Sequence, residues 1–153
     1  MKKNVALFGP SGYTGSQLLS LLIHHPYVNI SSVLGNSSEG KLLSDFILIP
    51  KKKDLKILSS KKFKKKNIDL VFLCLPHKKS FKLFEQFEDL KIIDLSSDYR
   101  FNSASSYKKW YEYSHPNPKI LKKFVYGLTE LNRDEIKKAS YIANPGCYPT
   151  SVL

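Results

Sequence analysis

The sequence predicts an α/β chain built on a doubly wound, mostly parallel sheet. Three observations carry that prediction. Short β-rich apolar runs alternate with stretches of helical spacing, the pattern of strand–helix–strand crossovers. Ile68–Leu75 (IDLVFLCL) is a continuous apolar run, as a strand covered on both faces requires. A glycine-spaced loop, Gly9 to Gly15, stands between the first apolar run and the first helical stretch.

The elements follow in order. Asn4–Phe8 reads as a buried strand. Tyr13–His25 reads as a helix whose broad apolar face is Leu18, Leu19, Leu21, Leu22 and Ile23, stopped by Pro26. Tyr27–Leu34 reads as a second strand through Val28, Ile30 and Val33, and Leu55–Leu58 as a short third. Ile68–Leu75 is the central strand, ended by Pro76. Ser80–Phe87 shows helical spacing through Phe81, Phe84 and Phe87, and Leu90–Leu95 is another strand. Ser103–Tyr113 and Asn132–Lys138 read as short helices, and Tyr141–Ala143 leads into a turn at Asn144-Pro145-Gly146. Neither an internal repeat nor a Gly/Ser linker interrupts the pattern.

Composition narrows the class. The 153 residues suit one domain, and 42% hydrophobic with 12% aromatic content excludes a disordered chain. No apolar run approaches the ~18–20 residues of a membrane span. Val5–Phe8, behind a basic pair, is too brief for a signal-peptide core. Two cysteines, Cys74 and Cys147, form no disulfide framework. A soluble, cytoplasmic protein is expected. The net charge of +12 raises the question of a nucleic-acid or membrane partner. Arg100 and Arg133 are the only arginines, however, and arginine is what base readout and phosphate forks favour. The lysines are dispersed, with clusters at 51–53 and 61–66, and read as a solvated surface whose positive field draws small anions. Neither nucleic acid nor membrane is expected as a partner.

The loop Gly9-Pro10-Ser11-Gly12-Tyr13-Thr14-Gly15 carries chemistry. Three glycines at a spacing of three allow a sharp turn, close approach to a phosphate, and tight packing of helix on strand. The following helix offers free N–H groups and a positive dipole end. Gly9, Ser11, Gly12, Tyr13, Thr14 and Gly15 are therefore candidate cofactor-binding residues in a Rossmann-like domain. An NAD-preferring site places an acid at the end of the second strand. Here that point reads Leu34-Gly35-Asn36-Ser37-Ser38, with no acid until Glu39. Asn36 and Ser37 leave room for a 2′-phosphate and Lys41 stands ready to pair with it, so NADP(H) is the expected cofactor.

Cys147 lies in Asn144-Pro145-Gly146-Cys147-Tyr148-Pro149-Thr150, and Pro149 suits a first helical turn. A helix N-terminus stabilises a thiolate, which marks Cys147 as a candidate nucleophile. Cys74, within IDLVFLCL, reads as inert core.

Five motifs occur in order: GPSGYTG, FLCLPHKKS, DLSSDYRF, YGLTELNR and NPGCYPT. Together they resemble the N-acetyl-γ-glutamyl-phosphate reductases over essentially the whole chain. The resemblance implies NADPH-dependent reduction of N-acetyl-L-glutamyl 5-phosphate to the 5-semialdehyde in arginine biosynthesis, with a cysteine thioester at Cys147. It implies a substrate-side role for Arg100, whose planar fork suits phosphate or carboxylate, and for Glu130 and Asn144. Pro76 and His77, at the end of the central strand, fall on the cofactor side. Lys78 stands where the family usually has glycine. The aromatics Tyr107, Trp110, Tyr111 and Tyr113 read as packing. Family members are about twice as long, homo-oligomeric, and carry a second α/β domain with a catalytic histidine. None of His24, His25, His77 or His115 matches that histidine. The expected layout is a dinucleotide-binding domain over 1–146 and the start of the cysteine helix over 147–153, leading into an absent or truncated second domain. An isolated chain of this extent is expected to lack reductase activity. The alternatives are an aminoadipyl-phosphate or other acyl-phosphate reductase and, in a different class, a noncatalytic basic binding module.

Overall fold

The computed structural model describes residues 1–152, apart from the Lys52 side chain; Leu153, the end of the expected 147–153 segment, lies outside the described residues. The chain forms two compact units, 1–75 and 76–152, each with three parallel strands.

The first unit holds β1 (Lys3–Phe8), α1 (Tyr13–Leu22), β2 (Val28–Leu34) and β3 (Leu70–Leu73), with strand order β2-β1-β3. β1 is central, so Val5–Phe8 are buried on both faces. β2 flanks it and leaves alternate residues half-exposed. β2 lies on one side of β1 and β3 on the other, so the order reverses at β1/β3. In an open parallel sheet that reversal opens a crevice beyond the strands' carboxyl ends. α1 packs through Leu19 and Leu22, followed by Ile23, while Leu21 is exposed; the apolar face is narrower than the leucine run suggests.

Two expectations fail in this unit. Leu55–Leu58 is no strand: it makes only isolated bridges, Leu58 to Leu34 and Lys56 to Leu42. Lys56 interrupts the segment, and Ile57 alone of its residues is fully buried, too little to anchor a ladder. β3 is also shorter than its apolar run, Ile68–Leu75. Cys74 lies just beyond β3, half-buried, its N–H donated to the Phe8 carbonyl, rather than in mid-strand core.

The second unit holds β4 (Lys91–Asp94), α2 (Ala104–Tyr111), α3 (Pro118–Leu121), β5 (Phe124–Tyr126), α4 (Thr129–Lys138), β6 (Tyr141–Ala143) and α5 (Cys147–Val152), with strand order β4-β6-β5. Its core is aromatic: Tyr99 stacks on Phe124 at 4.0 Å between centroids, and Phe84 and Tyr141 close around them. Ser103 caps α2 by accepting the Ser106 N–H. The helix expected over Ser80–Phe87 is instead two 3₁₀ turns, Ser80–Lys82 and Phe84–Phe87. Phe81, Phe84 and Phe87 recur every three residues, which is the 3₁₀ period and not the α period. Phe84 and Phe87 consequently bury on one side. Neither α3 nor β5 is foreseen by the apolar pattern. Lys119, Lys122 and Lys123 hide the three buried residues Ile120, Leu121 and Phe124 that make them.

Candidate functional site

In the first unit, Gly9 follows β1 at φ +82°, a conformation that side chains disfavour. A Cβ there would lie 2.1 Å from the Cys74 carbonyl oxygen, so only glycine lets the chain after β3 approach. α1 then begins at Gly12 with no side-chain cap, and its first helical bond is Ser16 N–H to the Gly12 carbonyl. The N–H groups of the first turn, Tyr13, Thr14 and Gly15, therefore lack intrahelical partners. Space over Gly12 is open: a Cβ would find its nearest atom 4.0 Å away. Ser11, Tyr13 and Thr14 carry exposed side chains around it. Free donors, a positive helix end and an open, Cβ-free surface fit a pyrophosphate group.

After β2, a Cβ on Gly35 would strike the Pro10 ring at 2.9 Å, so β2 ends hard against the glycine loop. Asn36 has a further role that its sequence position conceals. Its Oδ1 accepts the Ser60 N–H at 2.9 Å and the Ser59 and Ser60 hydroxyls at 3.1 and 2.9 Å, pinning the 59–60 turn. Ser37 is exposed in the same 3₁₀ turn. Glu39, the nearest acid, is paired with Lys62 at 2.8 Å, and that contact holds its carboxyl below the ordinary range.

In the second unit the carboxyl ends of β4 and β6 carry the polar groups. The Asn144 N–H donates to the Asp94 carbonyl at 2.7 Å, fixing the cysteine turn beside β4. The Asn144 side chain donates to the Pro145 carbonyl, so it shapes the turn itself. Arg100 reaches over: Nε donates to the Asn144 carbonyl at 3.0 Å and Nη2 to the Leu95 carbonyl at 3.2 Å. Its Nη1 sits 3.0 Å from where a Gly146 Cβ would stand, so Gly146 makes room for the guanidinium. Cys147, the first residue of α5, is exposed. Arg100, Phe101, Tyr111, Tyr126, Gly146 and Cys147 line one cavity of about 550 Å³. An accessible sulfur and a guanidinium on one mostly aromatic cavity are suited to an electrophile bearing an anionic group. Glu130 is exposed in the first turn of α4 and is not among the lining residues.

Pro76 is exposed and His77 half-buried. The imidazole packs against Tyr111 and Tyr107, at 4.6 and 5.9 Å between centroids. Its Nδ1 lies 2.7 Å from Asp98 Oδ1 and 2.8 Å from Ser97 Oγ, which assigns the proton to Nδ1. Lys78 keeps the backbone that glycine favours, at φ +65°. Its N–H donates to Asp98 at 2.7 Å, and its ammonium lies 4.5 Å from the Tyr113 ring centre. The left-handed conformation costs a side chain ~1–2 kcal/mol, partly offset by the ring contact, worth ~0.5–1 kcal/mol. Lys78→Gly is expected to stabilise by up to about 1 kcal/mol, whereas Lys78→Ala, which keeps the strain and loses the ring, destabilises. Urea unfolding of the three proteins ranks them; alanine above lysine contradicts this reading.

Asp94 is fully buried at the end of β4, with only its Oδ2 hydrogen-bonded, to the Ser96 hydroxyl at 2.6 Å. Burial pushes its carboxyl up to about 6, against the opposing Ser96 bond. The folded state thus binds a proton that the unfolded chain releases near pH 4. Asp94 should make stability fall as pH rises from about 4 to about 6, by roughly 3 kcal/mol, and then level off. Buried His115 has the opposite sign: burial lowers its pKa, so its contribution is complete above the ordinary histidine value and lost as pH falls. Asp94→Asn should remove the fall between pH 4 and 6, measured by urea unfolding at each pH. A variant with the parent's full slope places the proton elsewhere.

The glycine loop and the open helix start after β1 define the class as a nucleotide-binding α/β domain. Residues 4–139 match the family model described as semialdehyde dehydrogenase, NAD binding domain. The chain belongs to that family, and a nicotinamide cofactor goes with it. It is 43% identical over 152 residues to the N-acetyl-gamma-glutamyl-phosphate reductase of Campylobacter jejuni, covering 98% of this chain and 44% of that protein. It is 45% identical over 155 residues to the reductase of the same name from Methanosphaera stadtmanae, covering 99% and 44%. The resemblance read from the five motifs therefore holds, and the chain spans less than half the length of these relatives. In fold it is similar to an aspartate semialdehyde dehydrogenase II from Vibrio cholerae, with a TM-score of 0.72, 20% identity, and 100% and 44% of the two chains covered. The aspartate semialdehyde dehydrogenase with NADP from Candida albicans gives a TM-score of 0.61 at 16% identity, covering 94% of this chain and 42% of that one. Among the described residues no helix is long and apolar enough to cross a membrane, and no group of three or more metal-ligating side chains is present.

Proposed function

We propose that this chain is the nucleotide- and cysteine-bearing part of an NADP-dependent acyl-phosphate reductase acting on N-acetyl-L-glutamyl 5-phosphate. The observation that carries the reading is the exposed Cys147 sulfur on one cavity with the Arg100 guanidinium. Arg100 holds the anionic group of the substrate and Cys147 attacks the acyl carbon. The carbon–oxygen bond to phosphate breaks, inorganic phosphate leaves, and a thioester remains on Cys147. The loop from Gly9 to Gly15 would hold the nicotinamide cofactor, which when bound would supply the hydride that brings the acyl group to the aldehyde level. The carbon–sulfur bond then breaks, and Cys147 recovers its electron pair. Asn144 and Gly146 hold the turn that displays the sulfur, and Pro76 and His77 border the cofactor. The preference for NADP is supported by the absence of a free acid after β2, where Glu39 is committed to Lys62.

Joining residues 1–153 in register to the remaining part of the Campylobacter jejuni relative tests the reading. The chimera should oxidise NADPH only when the acyl phosphate is present. In reverse it should reduce NADP only when inorganic phosphate is present. A folded chimera without that activity, beside an active parent, sinks the proposal.

A further inference from the structure

Asp98 is fully buried, and its carboxylate is saturated. Oδ1 accepts the Lys78 N–H at 2.7 Å and faces His77 Nδ1 at the same distance. Oδ2 accepts the N–H groups of Ser80 and Phe81 at 3.0 and 3.4 Å. Four donors from residues 77–81 thus converge on one side chain. A buried carboxylate is tolerable only with such partners, and one so occupied has little capacity left for a reacting group. Its own N–H donates to Ser96 Oγ at 3.0 Å, and the Ser96 hydroxyl donates to Asp94. The irregular segment after β4 is therefore held by its side chains. Two residues further on, Arg100 spans the carbonyls of Leu95 and Asn144 and turns Nη1 toward Gly146.

We infer that Asp98 is a positioning residue: by clamping the 77–81 loop to the segment after β4, it aims Arg100 into the Cys147 cavity. The inference rests on the proposed reading of Arg100 as the anion anchor. Among the described residues the hydrogen bonds of Asp98 go to residues 77–81 and Ser96 and not to the helix that carries Cys147, so the effect runs through Arg100.

The test compares two alkylating agents on the chain itself. Iodoacetate is an anion and iodoacetamide is neutral. Each forms a carbon–sulfur bond at Cys147, expels iodide and leaves the thiol proton with solvent. The ratio of their rates cancels differences in thiolate fraction and reports the positive charge beside the sulfur. Mass spectrometry of the Cys147 peptide keeps Cys74 out of the measurement. Arg100→Gln should lower the iodoacetate-to-iodoacetamide ratio at least threefold. Asp98→Asn leaves Arg100 in place but replaces an acceptor by an amide N–H facing backbone donors; it should lower the ratio comparably. A merely structural Asp98 lowers the melting temperature and leaves the ratio alone. A folded Asp98→Asn with the parent's ratio, beside a lowered ratio for Arg100→Gln, overturns the inference while the anchor reading stands. An unchanged ratio for Arg100→Gln overturns the anchor reading and the inference with it. Where Asp98→Asn does not fold, Ser96→Ala, which removes the acceptor of the Asp98 N–H together with the hydroxyl that donates to Asp94, should lower the ratio about twofold; an unchanged ratio there overturns the inference.

Discussion

Replacing Gly15 with alanine is expected to destabilise the chain by more than about 4 kcal/mol, beyond the range of ordinary substitutions. The added Cβ would lie 2.0 Å from the Gly9 carbonyl oxygen and 3.1 Å from Pro10 Cα. Both neighbours are backbone, so no rotamer relieves the clash; α1 must lift off the loop or the loop must unfold. Gly9 is in the same position toward the Cys74 carbonyl, with a positive φ as well. Gly12 differs, because its Cβ would meet nothing closer than 4.0 Å. Gly12→Ala should therefore keep the fold within about 1 kcal/mol, at the cost of cofactor affinity, since the methyl group stands where a phosphate must approach. Thermal unfolding and titration with NADP separate the two effects. A Gly15→Ala protein that melts within a few degrees of the parent refutes the packing argument. Loss of stability in Gly12→Ala without loss of binding assigns that glycine to the fold.

The contrast shows what a sequence records. Glycine spacing between an apolar run and a helical stretch signals a tight strand-to-helix turn, and that turn stands where the spacing puts it. So does the turn carrying Cys147, because proline and glycine bracket it locally. In the sequence Asp98 is one residue of DLSSDYRF and carries no signal of its own. Its partners in the 77–81 loop lie 17–21 residues away, and no local periodicity encodes a carboxylate that gathers distant donors. Asn36 was read for the ligand because of its position after β2, yet its carbonyl holds a turn 23–24 residues further on. The strand expected at Leu55–Leu58 and the helix expected at Ser80–Phe87 failed differently. In both, apolar residues were read for the element they favour locally. Burial confined to Ile57 in the first, and a phenylalanine period of three in the second, decided the outcome. α3 and β5 escaped because few residues form them and lysines interrupt those few.

Cys147→Ser in the chimera is expected to lower turnover by at least ~10³-fold and to change NADPH affinity less than about twofold. Serine keeps the size of the side chain and a hydrogen-bonding atom, so the turn at Asn144–Gly146 and the Arg100 bridge should persist. The side chain is exposed, and an exposed substitution usually shifts stability by no more than ~0.5 kcal/mol. Lost activity in a protein of unchanged melting temperature is therefore chemical in origin. Oxygen fails at each stage where sulfur serves. Its conjugate base is scarce near neutral pH, an oxyester is less electrophilic toward hydride than a thioester, and an alkoxide leaves less readily than a thiolate. Turnover within tenfold of the parent means that another group carries the acyl chain, and the cavity shared by Arg100 and Cys147 then serves only binding. Loss of both turnover and NADPH affinity instead makes Cys147 part of the cofactor's support, which its place at the head of a short, exposed helix does not favour.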